Sequence, residues 1–307
     1  MDVSNNTAGY TRRKTFSLNS VKFHFQPFYF LLPALLLLGT FLFLPSLLTI
    51  YYAFTDYYLL TPDQRQFVGF SNFVQLFSDP VFIKSLQNIT IFVVCIIVVQ
   101  VGAALGLALL INNNNRKGSL FLKVAFFSPV VMSLVVISVL WLYLLNPSDG
   151  LINSFLQGIG IDAQPFLTSP NQAIFAIVFV SAWQGAGYQM LIFLAGLQNI
   201  SREVYEAAKI DGANKWQSFL HITLPLLRPT TTLIIFTTLI AAFKLIIQPM
   251  IMTQGGPLNS TMTPIYYIYQ TGFTDRLVGY SSAMTVVFGL LIAIVSFLQR
   301  KLAKEEI

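Results

Sequence analysis

Six long apolar runs constrain this chain more than any other feature of its sequence. The first extends from Phe28 to Phe54, which is about 27 residues, and a helix needs about 20 residues to cross the hydrocarbon core of a bilayer. The other five meet the same criterion: Leu86–Ile111, Leu120–Leu145, Ala173–Leu194, Thr231–Met252 and Tyr280–Leu298. Because backbone polar groups that face lipid must be paired within the segment, each run is expected to be helical. The sequence therefore predicts an all-α integral membrane protein with six transmembrane helices.

The composition supports a membrane protein and argues against a nucleic-acid partner. Hydrophobic residues make up 55% of the chain and charged residues 10%, whereas about 25% of the residues of soluble domains are charged. The net charge of +6 comes from basic residues scattered among loops, unlike the clustered patch of a nucleic-acid-binding protein. The first run is too long for a cleaved signal peptide, so we expect it to be retained as a span.

The distribution of lysine and arginine predicts the orientation, because cytoplasmic loops are enriched in basic residues. With both termini in the cytoplasm, the cytoplasmic segments contain fourteen of the 18 basic residues: Arg12, Arg13, Lys14, Lys22, Arg116, Lys117, Lys123, Arg202, Lys209, Lys215, Arg228, Arg300, Lys301 and Lys304. The outer segments contain Arg65, Lys84 and Arg276. The bias places residues 1–27 and 300–307 in cytoplasmic tails and residues 199–229 in a cytoplasmic loop.

The loop 199–229 carries the most informative local pattern. Glu206-Ala207-Ala208 favours a helix, and Gly212 can end it because glycine adopts left-handed backbone angles without strain. A second short helix is expected to follow, and Pro225 is expected to break it before the fifth run. The pattern predicts a helix–turn–helix that lies at the membrane surface rather than across it.

The same loop resembles the signature loop of the membrane subunits of bacterial type I ABC importers, and most closely the carbohydrate-uptake branch. The matching residues are Glu206, Ala207, Ala208, Asp211, Gly212, Ala213, Ile222, Leu224 and Pro225. Their spacing shows no departure from the family pattern. Gly69, Asn72 and the turn Gly255–Pro257 extend the resemblance to most of the chain after about Phe28.

The resemblance implies a six-span permease domain over residues 28–299, in the bacterial inner membrane. It implies that the chain forms half of a translocation pore with a second, often different, permease subunit. Two ATPase subunits would bind the loop 199–229, and an extracytoplasmic solute-binding protein would deliver a sugar or sugar-like solute. ATP and Mg²⁺ would be bound by the ATPase subunits, and no cofactor by this chain.

The sequence lacks a catalytic pattern of its own. It contains no Gly-x-x-x-x-Gly-Lys-Ser/Thr phosphate loop. Its two histidines, His24 and His221, lie far apart, and the single Cys95 excludes an internal disulfide. We therefore expect a transport subunit rather than an enzyme.

Lys244 is the sharpest candidate for a solute path, because a charged residue within an apolar run is costly. Gln248 lies one turn further and is expected on the same helix face. Lys244 would then donate to a hydroxylated solute from the cavity wall. The alternative is that its long side chain extends to the outer membrane interface.

The fourth run supplies further candidates in Trp183, Gln184 and Tyr188. Gln184 and Tyr188 are four residues apart and are expected to share a helix face. Amide groups and aromatic rings suit the hydroxyls and C–H faces of sugars. The alternative is a packing helix, in which Gly185 and Gly187 allow a neighbouring helix to approach closely.

Two other classes of transporter remain as alternatives. A glycerol-phosphate importer of the same architecture would favour several basic residues along the path, but only Lys244 lies well inside a run. An ion-coupled carrier would need intramembrane carboxylates, and none of the 12 Asp and Glu residues lies well inside a run. The single basic residue favours a neutral sugar or glycoside, although the partner chain could supply more, and the lack of intramembrane carboxylates argues against an ion-coupled carrier.

The outer segments are rich in aromatic residues, including Phe67, Phe70, Phe73, Tyr266 and Tyr267. We expect parts of these segments to dock an outside partner. An aromatic belt at the membrane interface is the alternative, and the two roles are compatible.

Overall fold

A computed structural model describes residues 29–112 and 116–305 of the chain. The predicted N-terminal tail, residues 1–27, and the last two residues of the predicted C-terminal tail lie outside the described residues. Within the described residues the chain is helical, and its only β-type pairings are two isolated bridges, Thr55–Phe67 and Tyr58–Leu277. The all-α fold class is confirmed.

Twelve helices of six or more residues occur in the described part of the chain. They are α1 (Tyr29–Tyr52), α2 (Ser71–Phe77), α3 (Pro80–Asn112), α4 (Arg116–Phe127), α5 (Leu134–Leu144), α6 (Leu151–Gly158), α7 (Ala173–Gln198), α8 (Arg202–Ile210), α9 (Lys215–Leu226), α10 (Arg228–Phe243), α11 (Pro264–Tyr269) and α12 (Val278–Glu305). Among them α1, α3, α7 and α12 are each long and apolar enough to cross a membrane. Two bent pairs raise the number of candidate spans to six if each pair forms one span.

Two hydroxyl groups of helix α1 form hydrogen bonds within the helix itself. The Ser46 hydroxyl donates to the Leu42 carbonyl at 2.7 Å, and the Thr49 hydroxyl donates to the Pro45 carbonyl at 2.8 Å. Such bonds to the preceding turn satisfy a polar side chain within its own helix. An apolar helix can therefore contain these two residues without a partner elsewhere.

The third apolar run is not the single straight helix that the sequence predicts. Its two halves, Gly118–Val131 and Leu134–Leu144, meet at 100°. The first half ends in a 3-10 turn that contains Pro129, and Met132 then adopts an extended conformation with ψ 148°. Proline has no N–H to donate to the preceding turn, so a helix is easily interrupted there.

The fifth run is also interrupted, which corrects the expected placement of Lys244 and Gln248 on one helix face. Helix α10 ends at Phe243, with Lys244 as its C-cap, and a separate π turn begins at Pro249. Because Pro249 has no N–H, the Leu245 carbonyl lacks a helical donor, and it accepts instead from the buried Thr263 hydroxyl at 2.7 Å.

The expectation that Pro225 breaks the second helix of the loop is wrong. Pro225 lies inside α9, which continues to Leu226. A π turn closes just before it, with the Leu224 N–H bonded to the Phe219 carbonyl, and this wider turn accommodates the proline ring. The break comes at Leu227, where α9 and α10 meet at 64°.

Helix α7 forms the centre of the packing, because 61% of its most apolar stretch of 18 residues is buried. It lies along α3, where Ala104 and Ala108 are fully buried against the cluster that contains Phe193. Gly187 faces α4: a Cβ added there would lie 2.0 Å from the Phe126 carbonyl oxygen. The packing alternative for this glycine is therefore supported. This close packing holds α3, α7 and α10 around the cavity described below.

Candidate functional site

The loop 199–229 folds as a helix–turn–helix built from α8 and α9. Helix α8 ends at its C-cap Asp211, and Gly212 follows with φ +82°. The Gly212 N–H donates to the Lys209 carbonyl, and the Ala213 N–H donates to the Ala208 carbonyl. This pair of hydrogen bonds is a Schellman motif, which requires the left-handed conformation that glycine supplies. The sequence prediction of a helix stop at Gly212 is confirmed.

The second helix begins with a capping box, and a hydroxyl pair joins the two helices. The Asn214 side chain accepts from the Gln217 N–H, and the Gln217 side chain accepts from the Asn214 N–H. The hydroxyls of Tyr205 on α8 and Thr223 on α9 are 2.9 Å apart and hydrogen-bonded. Capping and cross-linking together give the loop a defined shape.

The helix–turn–helix presents an uncovered face. Glu206, Ala207 and Ile210 are exposed, and Ile210 is 86% exposed. Within the described residues the Glu206 carboxylate has no hydrogen bond or ion pair. Ile222 is half-buried and Pro225 is exposed. A large apolar side chain and an unpaired carboxylate on one helix face are typical of a surface that a partner protein covers.

A cavity of about 350 Å³ lies among α3, α5, α7 and α10. This volume falls within the range of about 300–1,000 Å³ that small-molecule sites occupy. Its polar lining consists of Gln100, Ser181, Gln184, Tyr188, Gln189, Thr237, Thr238, Lys244 and Gln248. Among the described residues no carboxylate lines the cavity, and the Lys244 ammonium is the only charged group in the lining.

Lys244 and Gln248 reach the cavity although they do not share a helix face. The Lys244 side chain is exposed and lies at the C-terminal end of α10, where the helix dipole favours a positive charge. Gln248 is buried, and its amide nitrogen donates to the Ser181 hydroxyl across to α7 at 3.4 Å. The break at Leu245 and Ile246 turns both side chains towards the same space. Their part in a solute path stays a prediction.

The structure brings Gln184 and Tyr188 together in the cavity but leaves Trp183 outside its lining. The Trp183 ring instead packs edge-on against Trp141 of α5, with 5.5 Å between ring centroids. Four of the five residues predicted for the solute path thus line one cavity. Gly185 also lines it, beside the Gln100 amide.

Sequence reasoning missed five polar residues of the lining: Gln100, Ser181, Gln189, Thr237 and Thr238. The two glutamines lie inside apolar runs, so the rule that singled out Lys244 applies equally to them. The threonines give no such signal, because a threonine within a helix can bond its own preceding turn. Thr238 does so, and it also accepts from the Gln189 amide across the gap between α7 and α10.

A second polar cluster joins three elements at the predicted outer side. The Asp79 carboxylate caps α3 by accepting from the Val81 and Phe82 N–H groups. Its other oxygen accepts from the Tyr267 and Tyr280 hydroxyls, both at 2.7 Å. Partial burial raises the pKa of Asp79, but these four hydrogen bonds lower it by more, so its pKa lies below the ordinary value of 3.8.

The aromatic residues of the predicted outer side form two further groups. The Arg65 guanidinium lies 5.4–5.7 Å from the ring centroids of Tyr51, Tyr52 and Tyr57. A separate cluster surrounds Phe54 and includes the exposed rings of Phe67 and Phe70. Buried Asn72, which belongs to the family resemblance, donates to the carbonyls of Ala53 and Thr55. Asn72 therefore holds the chain in place at the end of α1. Partner docking and an interfacial belt both remain predictions for these loops.

Together, the described residues form apolar helices long enough to cross a membrane, a polar cavity between them and an exposed helix–turn–helix, which is the arrangement of a multi-pass membrane protein. The sequence profile of a family described as "Binding-protein-dependent transport system inner membrane component" matches residues 100–305. The chain belongs to this family of inner membrane components of binding-protein-dependent transport systems.

Two transport permease proteins are similar in sequence to this chain over at least 80% of its length. The lactose transport system permease protein LacF of Rhizobium radiobacter is 36% identical, over 90% of this chain and 93% of the relative. The arabinooligosaccharides transport system permease protein AraP of Bacillus subtilis is 32% identical, over 80% of this chain and 78% of the relative. In fold, the chain is similar to a chain of a bacterial alginate ABC transporter crystal structure, with a TM-score of 0.81 and 24% identity over 94% of this chain and 96% of that chain.

Proposed function

We propose that this chain is the membrane-spanning permease subunit of an ATP-driven importer for a sugar or oligosaccharide. The observation that carries the proposal is the polar cavity between α3, α7 and α10. Polar groups inside a membrane domain are costly, and they occur where a solute or an ion passes. The relatives named for lactose and arabinooligosaccharides support a saccharide as the solute.

The chemistry of the cavity supports a neutral, hydroxyl-rich solute over the alternatives. Four glutamine amides, one tyrosine and one ammonium can each exchange hydrogen bonds with sugar hydroxyls. A glycerol-phosphate cargo would be better served by several cations, and Lys244 is the only one that the described residues place in the lining. An ion-coupled carrier is less well supported, because the described part of the chain contributes no carboxylate to the lining that could bind the coupling ion.

The exposed helix–turn–helix supports a separate ATPase as the energy source. Glu206 and Ile210 offer a charge and an apolar contact to such a partner, and we infer that the ATPase docks on α8 and α9 from the cytoplasm. In this assembly the ATPase subunits bind ATP and Mg²⁺, and this chain binds no cofactor. A second permease subunit completes the pore, and a solute-binding protein delivers the solute from outside. Six spans with both termini in the cytoplasm fit this arrangement.

Lys244→Met is expected to weaken solute handling while leaving assembly intact. Methionine keeps the length of the side chain but removes the positive charge that Lys244 brings to the cavity. A hydrogen bond to a charged group contributes about 1.5–3 kcal/mol, so the half-saturating solute concentration should rise by about tenfold or more. The measurement is solute-dependent uptake by the reconstituted complex, with size-exclusion chromatography as the check on assembly.

Lys84→Met is the matched control, because Lys84 is exposed on α3 and does not line the cavity. We expect wild-type uptake kinetics from it. Wild-type kinetics in Lys244→Met as well would favour the alternative in which Lys244 extends to the membrane interface, and would remove this residue from the solute path.

A further inference from the structure

Gln189 has a side-chain orientation that its neighbours determine. Its amide donates to the Thr238 hydroxyl oxygen. That hydroxyl donates its single proton to the Ile234 carbonyl at 2.6 Å, within the preceding turn of α10. Thr238 can therefore only accept from Gln189, so the amide nitrogen must face Thr238. The amide oxygen of Gln189 consequently points away from α10.

That amide oxygen lacks a donor. Gln189 is 4% exposed and belongs to the cavity wall, yet its oxygen has no hydrogen-bond partner among the described residues. No donor of the cavity lining, Lys244 and Tyr188 included, bonds to it among the described residues. A buried acceptor without a donor is unfavourable, so a conformation that supplies a donor at this oxygen is stabilised.

We infer that Gln189 is a specificity-determining residue, whose amide oxygen accepts a hydrogen bond from one hydroxyl of the solute. The inference rests on the proposed function and adds to it a defined contact deep in the cavity. The oxygen has no exposed surface in this conformation, so the contact requires a conformation in which the cavity widens beside Gln189, on the side away from α10. A site built to hydrogen-bond a hydroxyl rejects an analogue that lacks it far more strongly than an apolar pocket could.

The test uses the intact transport complex, reconstituted with its ATPase, second permease and solute-binding protein. Stimulated ATP hydrolysis is first measured with lactose, arabinotriose and a panel of other mono-, di- and trisaccharides. Gln189→Met and Thr238→Val are then compared with the best of these saccharides and with its monodeoxy analogues. Gln189→Met removes the amide and keeps the side-chain size, whereas Thr238→Val removes the amide's partner and keeps the oxygen.

We expect Gln189→Met to raise the half-saturating saccharide concentration about tenfold, and Thr238→Val to raise it less than about threefold. We also expect the wild-type complex to discriminate against one monodeoxy analogue, and Gln189→Met to lose that discrimination. A purely structural role in bridging α7 to α10 would not change selectivity among deoxy analogues.

Three results would overturn the inference. Equal losses in Gln189→Met and Thr238→Val, with deoxy selectivity unchanged, would leave Gln189 as a bridge between helices. Unchanged kinetics in Gln189→Met would mean that the amide oxygen of Gln189 bonds to water and not to the solute. If no saccharide stimulates the wild-type complex, the proposed function itself fails, and this contact fails with it.

Discussion

Glu206→Lys and Gly212→Val should each abolish solute-stimulated ATP hydrolysis while the chain still enters the membrane. Gly212 has φ +82°, and a Cβ added there would meet no atom of the described residues within 4 Å, so the cost of valine is backbone strain of about 1–2 kcal/mol at the turn. That strain would displace α8 relative to α9. Reversing the Glu206 charge would remove one partner of a docked charge pair, which costs about 2–5 kcal/mol. The measurements are co-purification of the ATPase and ATP turnover with and without solute.

Matched controls separate coupling from general damage. Gly160→Val introduces the same kind of strain, since Gly160 has φ +84° and open space around its Cα, but it lies in the predicted outer loop after α6. Gly212→Asn keeps a residue that tolerates the left-handed conformation. Both should retain ATPase binding. Full binding and full coupled turnover in Glu206→Lys and Gly212→Val would mean that this loop does not transmit force.

Asp79→Ala should destabilise the chain more than any other single carboxylate substitution at its predicted outer side. It removes the cap of α3, which contributes about 0.5–2 kcal/mol, and two hydroxyl hydrogen bonds to a charged group, each worth about 1.5–3 kcal/mol. Because such contributions are not additive, we expect a loss of roughly 3 kcal/mol in the free energy of unfolding. Thermal unfolding in detergent measures it, and exposed Asp63 provides the control as Asp63→Ala.

The same carboxylate predicts a pH dependence of stability. The pKa of Asp79 in the folded chain lies below its ordinary value of 3.8, so its contribution is complete well above that pH. The contribution is lost as the pH falls below 3.8 and through the folded-state pKa. Wild-type unfolding temperature should therefore fall in this acid range more steeply than that of Asp79→Ala. Parallel curves for the two proteins would show that Asp79 gains no stability from its four hydrogen bonds.

The helix–turn–helix was predictable because its signals are local. Glu206-Ala207-Ala208 favours a helix, and Gly212 marks its end through the backbone angle that the Schellman motif requires. Pro225 misled the prediction, because proline usually ends a helix. The structure accommodates it with a π turn immediately before it, and a sequence gives no sign of such a turn.

Several residues that line the cavity could be predicted from the sequence, but the helix break that brings them together could not. Lys244 and Gln248 stand out as polar residues in an apolar run, and both line the cavity. A continuous helix was the wrong explanation for their shared position, because the helix breaks between them. The break is stabilised by the Thr263 hydroxyl, which donates to the Leu245 carbonyl. Trp183 was predicted to line the solute path because it precedes Gln184 in the sequence. It packs against Trp141 instead, a contact that depends on how α5 and α7 lie in the fold.

Contacts between distant residues were outside the reach of the sequence. Asp79 is separated by 188 residues from Tyr267 and by 201 from Tyr280, and no local pattern links them. The pairing of Gln189 with Thr238 spans 49 residues. Such pairs follow from helix packing, which a single sequence specifies only through the completed fold.

ATP-dependent saccharide uptake by the reconstituted complex tests the central claim most directly. Proteoliposomes would contain this chain, its second permease subunit and the ATPase, with ATP inside and the solute-binding protein outside. We predict accumulation of at least one labelled saccharide, such as lactose or an arabinooligosaccharide, that stops when either ATP or the binding protein is omitted. Uptake that continues without ATP and follows an imposed ion gradient, or uptake of glycerol phosphate in place of every saccharide, would contradict the account.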